Sequence, residues 1–300
     1  MGYYPSTPAR ALASGRAQIL GLIVSDITNP FFPEIIQSFE NAAVALNYEI
    51  LLVSTRHDRT RMETSVRRMI ERRVDGVAVL TSGMKDQVLR QLHDRKVPLV
   101  FVDTGSSFPG SSRIKVDYQH GIRHAVQHLA ALRHGKIAFI TGPLTLQSAV
   151  TRKCAFENAM REIRIHLNPN LVVEGDHTME GGMRAFRKLI EKGLRPTAVM
   201  CSNDISAIGV MREAFERGVK VPEELSVIGF DDVPIARFTI PPLTSVRISG
   251  AKIGRLAFEA LMEGLQRERR SAANIEYVVN TELVLRGSTA LVCRQQNEVR

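Results

Sequence analysis

The sequence predicts an α/β protein made of two doubly wound parallel-sheet domains. Three observations carry this reading. The 300 residues exceed what a single hydrophobic core usually serves. Short, β-rich apolar runs alternate with segments of helical periodicity, and the alternation occurs twice, with about four strand–helix units in each half. Strands that read as unbroken apolar runs between amphipathic helices belong to parallel sheets covered on both faces.

Taken in order, the first-half strands are predicted at 19–25, 49–54, 74–80 and 98–102, and those of the second half at 136–141, 171–174, 198–201 and 226–230. Between the first two, Phe32, Ile35, Ile36, Phe39, Ala43 and Leu46 recur at helical spacing. Ile122, Ala125, Val126, Leu129 and Leu132 do the same ahead of residue 136. The stretch 105–116, rich in Gly, Ser and Pro, has no long periodic segment and reads as a connector. After Phe230 the pattern changes. Pro241-Pro242 blocks a helix, a short strand follows at 244–247, a helix at 250–266 and a last strand at 276–285. These pieces could return to either domain.

Composition narrows the class. A hydrophobic content of 44% with 24% charged residues is that of a globular protein, and no stretch reaches the roughly 18–20 apolar residues of a membrane span. The run Ile19-Leu20-Gly21-Leu22-Ile23-Val24 follows Arg10 and Arg16 but ends at Asp26 without a cleavage site, so it reads as a buried strand and not as an export signal. Cys154, Cys201 and Cys293 are few, odd in number and far apart, which fits reduced thiols in the cytoplasm. The net charge of +9 favours polyanionic partners such as DNA.

In open α/β sheets, ligands bind outside the carboxyl ends of the strands. Those ends carry Ser25-Asp26-Ile27-Thr28-Asn29-Pro30-Phe31-Phe32, Thr81-Ser82-Gly83, Asp103, Thr141-Gly142, Asn203-Asp204 and Asp231-Asp232. Carboxylates and amides beside aromatic rings suit a polyol, whose hydroxyls pair with them while ring faces cover its apolar side. The same residues could instead cap helices, as Asn29, Asn203 and Asp231 are placed to do, and Phe32 could be core. The convergence points to a ligand cleft between the two domains. Nucleotide-binding glycine loops and a nucleophile elbow are missing, so no enzyme and no cofactor is expected. His120, His124 and His128 recur every four residues after Asp117, but they lie opposite the apolar stripe and read as a solvated face, with no metal site.

The run 25–32 resembles the opening of lactose- and purine-repressor (LacI/GalR) family regulators and of related ribose-type periplasmic binding proteins. Ser202-Asn203-Asp204-Ile205-Ser206-Ala207-Ile208-Gly209, Val221-Pro222-Glu223-Glu224-Leu225 through Asp231-Asp232, and Pro241-Pro242-Leu243-Thr244-Ser245-Val246 are similar to the repressors in particular. The resemblance covers nearly the whole chain. It implies two periplasmic-binding-protein-like (type I) domains: 17–117 with 247–275, and 118–246 with 276–293, preceded by a hinge remnant at 1–16 and followed by a tail at 294–300.

It also implies an effector site: Asn29, Phe31, Phe32 and Asp103 from the first domain, and Arg152, His177, Asn203 and Asp231 from the second. Arg152 stands in a Ser-x-x-x-Arg-x-x-x-Phe context with Ser148 and Phe156. Departures from the family include His177 where an aromatic often stacks, Ala155 for a frequent glycine and Ile248 for a common glutamine. The segment 2–12 looks like the family's hinge helix, in which Leu12, with Ala9 and Arg10, would wedge into the minor groove of an operator. The helix-turn-helix headpiece that precedes the hinge in the family is not in this sequence, so operator binding is expected to be weak or absent. The expected protein is a cytoplasmic, homodimeric regulator, a repressor whose small-molecule effector is a sugar or sugar derivative. The alternative is a sugar-binding component of a transporter, which would carry an export signal and be monomeric.

Overall fold

The computed structural model describes residues 16–56, 58–81, 86–104, 108–266 and 274–292. Ala9, Arg10 and Leu12 lie outside the described residues. The chain divides into two compact units: Met1–Val116 with Ser249–Val279, and Asp117–Ile248 with Asn280–Arg300.

Unit 1 begins with β1 (Ile19–Val24), α1 (Phe32–Ala45), β2 (Glu49–Ser54), α2 (Arg59–Glu71), β3 (Gly76–Leu80), α3 (Asp86–His93), β4 (Leu99–Val102) and β5 (Ser112–Asp117). The sheet order is β2-β1-β3-β4-β5, every pair parallel. Five of six residues of β1, and all residues of β3 and β4, are buried, as a sheet covered on both faces requires. α1 opens on Phe32 and Pro33, where a missing N–H costs nothing. It buries Phe32, Ile35, Phe39 and Ala43 against α8 (Gly250–Gln266). The two helices approach closely at Gly254, where a Cβ would sit 2.3 Å from the Ile35 carbonyl oxygen. On the other face, Met62, Val66, Met69, Leu89 and Leu92 close a core with Phe101 and Phe108.

The stretch expected to be a connector contains β5. In Ser112–Asp117, buried Ser112 and Ile114 alternate with more exposed Arg113 and Lys115, a period-two pattern that the local Gly, Ser and Pro content obscures. Lys115 pairs with Glu276 at 2.8 Å.

Unit 2 continues with α4 (Tyr118–Ala131), β6 (Ile137–Thr141), α5 (Gln147–Glu162), β7 (Val172–Glu174), α6 (Met179–Glu191), β8 (Ala198–Cys201), α7 (Asp204–Glu216), β9 (Ser226–Asp231) and β10 (Thr244–Ile248). Strand β11 (Ile275–Val284) starts in unit 1 and ends in unit 2. The order is β11-β10-β9-β8-β6-β7, parallel except that β11 runs antiparallel to β10. Ile122, Ala125, Val126 and Leu129 are buried along α4. α6 and α7 pack over Ile140, Val199, Val227 and Leu243.

Candidate functional site

Apart from Gln18 just before β1, left-handed backbone in non-glycine residues separates two kinds of position. Asn47, Arg73, Lys96, Arg133 and Arg164 have positive φ just beyond helix C-termini, where such a residue ends a helix in the ordinary way. Arg56, Asp103, His177, Asp231 and Asp232, with φ of 51°, 51°, 64°, 101° and 57°, instead follow or close strands at the carboxyl edges of their sheets. Backbone strain clusters at ligand clamps, and these edges are where open α/β sheets bind ligands.

In unit 2 these loops converge. Arg152, in the second turn of α5, is 6% exposed, and its guanidinium lies 4.3 Å from the Phe230 ring centroid and 4.8 Å from that of Tyr118. One terminal nitrogen donates to the Ser202 carbonyl, while the other lies 3.3 Å from Asp231 Oδ1 and 3.5 Å from the Tyr118 hydroxyl. Ser202 extends the cluster, its Oγ sitting 3.0 Å from His177 Nε2. Gly142 makes room for that imidazole: a Cβ there would stand 2.0 Å from Nε2. Asn203 caps α7 by accepting from Ser206 N at 3.0 Å, and its amide donates to the His177 carbonyl at 3.0 Å. Asn203 therefore shapes the site as a cap and strut, with one amide hydrogen and one oxygen lone pair left for other partners.

Around Asp231 lies a second polar layer built on Asp204 and Asp232, two strand-end residues that the sequence reading did not carry into the effector site. Asp232, with its side chain 1% exposed, meets Arg247 at 2.7 Å and Arg286 at 2.5 Å. Asp204 is fully buried and accepts from Val233 N at 2.7 Å and from the Ser245 hydroxyl at 2.6 Å. Burial, and then the nearby Asp231 charge, push its carboxyl well above the ordinary range. Gly229 admits it, since a Cβ would sit 2.0 Å from its Oδ1. Tyr118, Phe230 and Ser245 carried no sign in the sequence of a place in the site: an aromatic or hydroxyl beside an apolar run reads as core.

Unit 1 places its four candidates less tightly. Asn29 is half-buried and its Oδ1 accepts from Phe31 N at 3.0 Å, while Asp103 N donates to Ile114 O at 2.9 Å. Phe32 is 7% exposed in the core, and the half-buried Phe31 packs edge-on against it with centroids 5.4 Å apart. Phe31 is thus the more accessible ring.

Among the described residues no group of three His, Cys, Asp or Glu could hold a metal ion, and no helix is long and apolar enough to cross a membrane. His120 and His124 are exposed with rings 4.4 Å apart, whereas His128 contacts the Thr289 hydroxyl at 3.0 Å and burial lowers its pKa.

These two sheets, with polar loops gathered at their carboxyl edges, define a periplasmic-binding-protein-like effector-binding core. A family model described as "Periplasmic binding protein-like domain" matches residues 126–289. The chain is 32% identical over 268 residues to the HTH-type transcriptional repressor PurR of Vibrio atlanticus, covering 89% of this chain and 80% of that one. With PurR of Photobacterium profundum the identity is 33% over 290 residues, 96% of this chain and 86% of that one. A complex of the regulator CelR with cellobiose superposes with a TM-score of 0.83 at 26% identity, covering 93% and 88% of the two chains. The lac repressor dimer bound to operator and the anti-inducer ONPF gives 0.83 at 26%, covering 96% and 100%. The chain belongs to the lactose/purine-repressor (LacI) family of transcription regulators, and residues 15–290 are its effector-binding region.

Proposed function

We propose that this regulator senses a carbohydrate or carbohydrate derivative and that the effector is gripped from unit 2 by Arg152, His177 and Asp231, with Asn203 shaping the loop. Asn29, Phe31 and Asp103 supply the contacts from unit 1, with Phe32 supporting Phe31. The observation that carries this is the buried Arg152–Asp231 pair seated on the Tyr118 and Phe230 rings. The stacking and the pairing with Asp231 fix the guanidinium in place, so its planar fork meets adjacent hydroxyls at no further ordering cost. The cellobiose complex of CelR supports a sugar as the ligand class. The protein converts nothing; binding shifts the population between states with different affinities for operator DNA, which residues Ala9, Arg10 and Leu12 contact. It works in the cytoplasm as a homodimer. The segment after β9 supports that assembly, because Ile235, Phe238 and Ile240 are 50%, 72% and 96% exposed.

The test is thermal unfolding with mono- and disaccharides and their acids at millimolar concentration, repeated for Arg152→Gln. A ligand at 100 times its Kd stabilises the folded state by about 2.7 kcal/mol. A stabilising sugar whose effect is lost in Arg152→Gln supports the reading, and the absence of any shift across the series rejects a sugar effector. Sedimentation of Ile240→Glu should show monomers if the exposed segment joins two copies.

A further inference from the structure

Unit 1 has a second polar edge, at the opposite ends of the strands from Asn29 and Asp103. Asp75 fastens the chain there: its carboxylate accepts from Ala17 N at 3.1 Å and from Gln18 N at 2.7 Å, and Arg16 donates to the Leu265 carbonyl at 3.3 Å. The described chain therefore enters unit 1 at this edge. Exposed cations collect beside it. Arg68 and Arg72 end α2, Arg73 follows in left-handed conformation, and Arg95 and Lys96 follow α3. Among the described residues, Arg68, Arg72, Arg73 and Lys96 make no ion pair. Two neighbouring carboxylates are already engaged, Asp75 by backbone N–H groups and Asp94 by His93 at 3.5 Å. The partial negative charge at a helix C-terminus accounts for one cation at each helix end, not for the three at the end of α2.

We propose that this edge rests on the phosphate backbone of duplex DNA, flanking the base step that residues 9–12 enter. The inference rests on reading residues 1–15 as a DNA-contacting arm. Each cation placed on a phosphate releases a condensed counterion, so the dependence of log K on log salt steepens by about 0.9 per contact.

The test is fluorescence anisotropy of the full chain with a random duplex of about 30 base pairs, between about 50 and 200 mM salt. The edge variant R68Q/R72Q/R73Q/K96Q should weaken binding at least tenfold at low salt and flatten the slope by about 2 to 4. The unit 2 variant R161Q/R164Q should bind as the unaltered chain does, and R68K/R72K should retain binding if charge rather than folding is at issue. No binding by the unaltered chain at low salt, an unchanged slope in the edge variant, or an equal loss in R161Q/R164Q would overturn the proposal. The arm is tested separately by R10Q/L12A. Loss there with the edge variant unchanged rejects the edge alone, while loss only in the edge variant supports the edge and rejects the arm.

Discussion

Helix α7 carries two buried carboxylates, Asp204 in its first turn and Glu213 in its third, and they meet opposite electrostatic fates. Glu213 accepts from Arg187 at 2.7 and 3.0 Å and from Arg217 at 2.7 Å, and the hydrogen bonds from Arg187 lead in pulling its pKa down to about 2. Arg187 comes from α6, so this pair joins two neighbouring helices at the edge of the core. Asp204 is held by a backbone N–H and a hydroxyl alone, although Arg152, Arg247 and Arg286 stand nearby on Asp231 and Asp232. The difference teaches where the unit optimises stability and where it does not. Towards the far end of the helix the buried carboxylate meets two cations. Below the proposed effector loop a carboxylate is kept without a cation, and two consecutive aspartates hold left-handed backbone.

The largest effect is expected where this contrast depends on one residue. Arg152→Ala leaves Asp231 buried without its cation and should cost about 3–5 kcal/mol in denaturant unfolding. A loss below about 1 kcal/mol would mean that Asp231 is readily hydrated and that the layer is not preorganised. Next, Gly229→Ala drives a methyl to 2.0 Å from Asp204 Oδ1 and 2.9 Å from Leu243, and overpacking of that kind costs about 1–3 kcal/mol. Gly135→Ala, with nothing within 4 Å, is the matched control and should stay within about 0.5 kcal/mol.

The smallest effects are in pH dependence, and they have opposite signs. Glu213 has a folded pKa of about 2, below its ordinary 4.5, so its contribution is present above pH 4.5 and is lost as pH falls towards 2. Glu213→Gln should flatten that acid limb by about 1 kcal/mol, since both arginines are partly solvated. Asp204 is raised above its ordinary 3.8, so the folded protein keeps a proton that the unfolded chain releases, and stability falls as pH rises above 3.8. Asp204→Asn should remove that decline. Identical pH profiles for the two variants, measured by chemical denaturation, would erase the comparison.

Much of the fold was legible because buried parallel strands are written as apolar runs: β1, β3, β6, β8 and β9 could hardly be read otherwise. β5 escaped because only one of its faces is buried and its other residues are charged. Collecting the polar residues that follow strand ends was enough to nominate Asp231, Asn203 and Asp103. Which of them cap and which meet a partner was not legible, because Asn203 Oδ1 satisfies the α7 N-terminus with the chemistry it would use on a ligand. Nor could the rings under Arg152 be foreseen. Tyr118 and Phe230 look like core in any window of sequence, and only tertiary packing turns their faces to a guanidinium. Gly142 and Gly229 are similar cases, since what each admits lies far along the chain.

The central claim is that Arg152 and Asp231 form a ready-made binding element for a hydroxyl-bearing effector. Isothermal titration of the chain with cellobiose and ribose, set beside Asp231→Ala, tests it most directly. The account predicts saturable binding of at least one such sugar that disappears in the variant while the fold is retained. A sugar that binds the variant as tightly as the unaltered chain would contradict it.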